Sequence, residues 1–134
     1  MRHAKTWVLA ALLAAGCANA PASPCDEMCD GTARCIAGNE ACGAEGFSGG
    51  GAFAADCVRL CEAAGTGLDA SQEADALACL DCLRAGTDFA SCNGETALDT
   101  VCHDVCRTDG AAAFRNTFGP AIFDAQPGIE CLRR

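Results

Sequence analysis

Two stretches decide how this chain folds: DCVRLCEAAG at residues 56–65 and VCHDVCRTDG at residues 101–110, which share the pattern C-x3-C-x3-G. Cysteines four apart lie on one face of a helix, one turn above the other. Inside a regular helix their Cβ atoms stay about 5–6 Å apart, whereas a disulfide holds them at about 3.8 Å. Each pair must therefore bond to a second segment. The pattern predicts helices zipped side by side through sulfur, in two helical hairpins of similar design.

Outward from these stretches, the other cysteines repeat the theme. Cys25/Cys29 has the same spacing as Cys57/Cys61 and Cys102/Cys106, Cys79/Cys82 is CxxC, and Cys35, Cys42, Cys92 and Cys131 stand alone. All twelve are read as disulfide cysteines. If the helices around 57 and 102 pack antiparallel, Cys57 pairs with Cys106 and Cys61 with Cys102, one choice among on the order of ten thousand connectivities.

Start and stop signals mark four helices. Ser23-Pro24 is a cap followed by proline at the first helical position, and Gly38 ends that run, giving 24–37. Ala52 to Ala64 stops at Gly65. Ser71, with Glu73 and Asp75 in the first turn, starts a third helix that Gly86 stops. Thr96 with Asp99 reads as a capping box, and that helix reaches Thr108 before Gly110. The loop GFSGGG (46–51) has too many glycines to hold one shape, while Phe47 and Phe53 at its edges are expected to fold back as core. The C-terminal stretch is expected to begin as a helix, break at Gly119-Pro120 and wrap back, pinned by Cys131.

Composition explains why so many cross-links are needed. From Cys17 onward, Leu, Ile, Val and Phe supply only 19 of 118 residues. Such a chain, this acidic, would be disordered without help. Disulfides shrink the unfolded ensemble and contribute about 2–4 kcal/mol each. The fold class is therefore mainly α, a small disulfide-stapled bundle of about four helices.

The N-terminus assigns an address. Met1 to Lys5 is basic and Thr6 to Ala15 is an uncharged apolar run, the pattern of a secretory leader and too short to span a bilayer. Ala18-Asn19-Ala20 offers a cleavage site, but Pro21 would follow the cut and distort the extended backbone that a protease grips. Four residues earlier, Leu13-Ala14-Ala15-Gly16-Cys17 resembles the lipobox of bacterial lipoproteins, with Ala14 where that family most often has Leu. The resemblance implies diacylglycerol on the Cys17 sulfur, cleavage before it, and membrane anchorage. Ala18 in place of Asp implies, by the same family's sorting rule, the outer membrane. The organisation expected is residues 1–16 as signal peptide, 17–24 as lipidated cysteine and Pro/Ala linker, and 25–134 as Cys-rich helical domain. The CX3C pairs also look like the twin-CX3C hairpins of small disulfide-bonded helical proteins, a similarity of device only.

Removing the leader leaves seven Arg, no Lys and eighteen acidic residues, a net of −11. That surface has no basic stripe for phosphates, so nucleic acid is a poor partner. The CxxC of Cys79 and Cys82 lies two turns inside the third predicted helix, away from the helix N-terminus that would activate a thiol, and is read as structural. His103 is the one histidine past the leader, and Cys102 points about 100° away from it on the same helix. Asp99 and His103 could make half a metal site, with a solvated helix face as the simpler reading. No nucleophile elbow, phosphate loop or calcium loop occurs. With no Tyr, and its one Trp in the leader, the chain also lacks the aromatic anchors that dominate recognition. The sequence therefore points to a non-catalytic, lipid-anchored binding or structural module at the cell envelope, without cofactor or metal, facing an unknown protein or envelope ligand. The competing class is a thiol-dependent metal-binding or disulfide-exchange protein.

Overall fold

A computed structural model of the chain describes residues 23–85, 92 and 94–133. The leader, Cys17 with most of its linker, and the Gly86 stop lie outside the described residues. Among those described there are seven α-helices, one 3-10 helix and no strand. Four helices are long: Pro24–Gly38 (α1), Gly51–Thr66 (α3), Ala70–Ala85 (α4) and Asp109–Ala125 (α7). Between them sit Glu40–Ala44 (α2), Gly94–Asp99 (α5) and His103–Cys106 (α6), and the 3-10 helix Pro127–Arg133 follows. The chain is a mainly α, disulfide-stapled bundle, as the cysteine spacing predicts.

Local chemistry sets most boundaries. The Ser23 hydroxyl accepts the Asp26 N–H at 3.1 Å and the Asp26 carboxylate accepts the Ser23 N–H at 3.1 Å, a reciprocal cap with Pro24 in the first turn of α1. Helix α4 starts at Asp69, two residues before the predicted Ser71. Asp69 and Gln72 exchange the same pair of bonds, at 2.9 and 3.1 Å. The glycine-rich loop after α2 also has a definite shape. Gly46, at φ +73°, lets its own N–H reach the Gly43 carbonyl at 3.1 Å and that of Phe47 reach Cys42 at 2.9 Å. That is a Schellman ending, which glycine adopts without a Cβ penalty.

Two predicted helices are corrected. The run 96–108 is broken at Thr100–Cys102, where the Cys102 N–H reaches five residues back to the Ala97 carbonyl at 2.9 Å. The wide turn resets the chain so that Cys102 caps α6 instead of continuing α5. At the C-terminus the expected break at Gly119-Pro120 does not occur, and α7 runs through Pro120 to Ala125. A proline clashes with the Cβ of the residue before it when that residue is helical. Here that residue is glycine, so that clash is absent, and what remains is the lost hydrogen bond and the crowding of the ring against the carbonyl one turn back. The chain turns back at Gln126-Pro127 instead, and the 3-10 helix is pinned by Cys131 to Cys42 of α2.

The disulfides form two antiparallel ladders. Cys25–Cys61 and Cys29–Cys57 join α1 to α3, with Cα atoms 5.8 and 5.7 Å apart. Cys79–Cys106 and Cys82–Cys102 join α4 to the α6 segment, at 4.7 and 5.8 Å. The expected pairing of Cys57 with Cys106 and Cys61 with Cys102 is therefore wrong. Both C-x3-C-x3-G stretches are second arms of a hairpin, each bonded to the arm before it, and α7 packs against α3 and α4 to join the two hairpins. Closing loops of 20 to 36 residues costs less chain entropy than the longer closures the alternative needs. Cys35–Cys92 and Cys42–Cys131 complete the set.

Sulfur fills much of the interior. Of 21 buried apolar residues among those described, nine are cysteine and four are alanine. The larger side chains cluster around Phe53, Ile36, Leu80, Phe114 and Ile122, and no polar or charged residue among those described is buried with them. Phe53 is 2% exposed and Phe47 packs edge-on against it at 6.1 Å, so both loop-edge phenylalanines serve as core. Where α7 crosses α4, Gly110 allows backbone to touch backbone. A Cβ there would lie 2.5 Å from the Cα and carbonyl oxygen of Gln72.

Candidate functional site

The cysteines that invited a chemical reading are held apart from one another. Cys79 and Cys82 sit on one face of α4 but bond to Cys106 and Cys102, so the CxxC is two rungs of a ladder, not a dithiol couple. All twelve cysteines from Cys25 to Cys131 are paired. His103 turns its Nδ1 to the neighbouring Asp104 carboxylate at 3.0 Å, on the exposed surface. Asp99 instead faces Arg107 at 3.6 Å, so the structure does not bring Asp99 and His103 together. No group of three His, Cys, Asp or Glu side chains able to hold a metal occurs among the described residues.

Two concave features stand out among the described residues. One is a depression of about 500 Å³ where the start of α1 meets α3 and α4, with Glu62 and Glu73 among its walls. The other is an apolar groove of about 290 Å³ bounded by α1, α3, α4, α5, α7 and the 3-10 helix. Met28, Phe53, Leu83, Phe118, Ile122 and Leu132 form much of its wall. Disulfides Cys29–Cys57 and Cys35–Cys92 border it and fix the spacing of its sides. Helical periodicity accounts for part of this lining, because residues 118 and 122 on α7 and 28 and 32 on α1 lie one turn apart on single faces.

Among the described residues the groove's lining carries two polar side chains, Thr32 and Arg133. Thr32 donates its hydroxyl hydrogen to the Met28 carbonyl at 2.9 Å, which leaves the oxygen as an acceptor toward the groove. The Arg133 guanidinium lies over the Phe123 ring, 4.4 Å from its centroid, and reaches Glu130 at 3.5 Å. Behind this end of the groove, Gln126 donates to the Asp56 carboxylate at 2.8 Å and ties the end of α7 to α3. That bond, with a second from Arg59 at 3.2 Å, holds the Asp56 carboxyl below its ordinary pKa. Sequence reasoning did not find the groove or the Asp56–Gln126 tie, since the tie spans 70 residues and no local pattern announces it.

Fold and site together define a disulfide-stapled helical module with an apolar groove whose charged lining residue, among the described residues, is cationic. No protein-family model matches the chain, and no curated protein or solved structure matches it either. No helix among the described residues is long and apolar enough to cross a membrane.

Proposed function

We propose that this protein is an exported lipoprotein: a non-catalytic binding module held at the outer membrane by acyl chains on Cys17, with its helical bundle displayed on the short linker. One observation carries the reading. Every cysteine from Cys25 to Cys131 is consumed in a disulfide, which suits an oxidising compartment and leaves none of these thiols for metal capture or disulfide exchange. The lipobox-like Leu13 to Cys17 stretch supplies the anchor. Two or three acyl chains, at about 0.8 kcal/mol per buried methylene, give a permanent hold without any spanning helix. Binding then falls to the bundle, whose exposed acidic surface keeps it in solution.

Intact-mass measurement on the chain purified without reductant tests this directly. The expected species begins at Cys17, carries acyl mass, contains six disulfides and fractionates with the outer membrane. A species beginning at Pro21, free of lipid, would remove the anchor. Several alkylatable thiols or a copurifying metal would instead support thiol chemistry.

A further inference from the structure

The groove's geometry permits a more specific statement about what the bundle binds. Among the described residues its lining is apolar apart from Thr32 and Arg133, with no Asp or Glu, although the whole chain carries a formal net charge of −9. In a protein this acidic, a groove whose charged lining residue among those described is a cation selects against cationic and toward anionic head groups. The guanidinium is held in position by the Phe123 ring beneath it and meets Glu130 only at 3.5 Å, so donors remain for a second acceptor. The volume, about 290 Å³, lies at the small end of ligand-binding cavities. At about 30 Å³ for each water-sized group, it holds on the order of ten such groups.

We propose that the groove between α1, α7 and the 3-10 helix takes the tail of a single-chain anionic amphiphile, a medium-chain fatty acid, with its carboxylate at Arg133. This rests on the reading of the bundle as a binding module. The apolar tail lies along Phe118, Ile122 and Leu132, where burial of each methylene drives association. The larger depression beside α1 is lined by Glu62 and Glu73 and opposes such a ligand.

The test is titration of the full exported chain with decanoate, decanol and decyltrimethylammonium, each below its micelle concentration, read by ¹³C-methyl NMR. The expected result is saturable shifts at the Ile122, Ile129 and Leu132 methyls, with decanoate binding tightest. Arg133→Met is expected to weaken decanoate about three- to five-fold, the worth of a half-exposed ion pair, and to leave decanol unchanged. Ranking of the three head groups on the unsubstituted protein decides the matter even if the variant folds poorly. Equal affinity for the cationic tail overturns the proposal, as do shifts confined to Val101 and Val105 or no saturable shift at all. A parallel titration of Cys17→Ser separates sources: uptake seen only in that variant means the protein's own acyl chain fills the groove, which also overturns it. Failure of the anchor shows in the intact mass and leaves these methyl shifts unaffected, so the two readings fail separately.

Discussion

The two kinds of disulfide in this fold are predicted to differ in worth. Cys42–Cys131 spans 89 residues, and with the other bonds intact the shortest covalent detour runs through Cys35–Cys92, about 46 residues long. Cys25–Cys61 spans 36, but Cys29–Cys57 beside it shortens the detour to about eight residues. Chain-entropy arithmetic on those detours gives about 4 kcal/mol for the first bond and about 2.5 kcal/mol for the second. Each double alanine variant, Cys42→Ala with Cys131→Ala or Cys25→Ala with Cys61→Ala, loses two sulfurs. Three of those four cysteines are fully buried, so the packing losses are similar and largely cancel in the comparison. Urea unfolding followed by circular dichroism at 222 nm measures both. The expected result is a stability loss larger by about 1.5 kcal/mol for the 42/131 variant. Equal losses, or a larger loss for the 25/61 variant, would refute the view that these bonds act mainly on the unfolded chain.

Three further outcomes follow from single contacts. Gly110→Val drives a side chain into the Gln72 backbone and is expected to cost about 1–3 kcal/mol, read as a lowered Tm. Pro120→Ala restores a backbone donor in a helix that already runs through that exposed position, so Tm should rise, by up to about 3 kcal/mol in stability. Asp56 has a folded pKa held down first by Gln126 and then by Arg59. Its contribution is therefore complete above the unfolded value of about 3.9 and is lost as pH falls through the lower folded value. Gln126→Ala should raise the Asp56 pKa in an NMR titration of its carboxyl carbon, and an unchanged midpoint would sever that link.

What the sequence revealed was whatever depends on neighbours a few residues apart. Cysteines at i and i+4 imply a shared helix face, and Ser23-Pro24 implies a start, because both are decided within one turn. The pairing of ladders was not legible. Cys57 and Cys61 present the same face whichever helix meets them, and only the packing of α7 between the hairpins decides the partner. Pro120 misled because part of its usual effect comes from a clash with the Cβ of its predecessor, and Gly119 has none. The groove was invisible for a related reason: its walls come from six helical elements spread from residue 28 to residue 133, and Arg133 gains meaning only beside Phe123.

The central claim is that cross-links replace a hydrophobic interior too thin to fold by itself. Thermal melting of the exported chain, followed at 222 nm with and without reductant, tests it most directly. The oxidised chain should melt in one cooperative transition, and the fully reduced chain should show low helicity and no transition. A reduced chain that keeps its helicity and melts cooperatively would contradict the account.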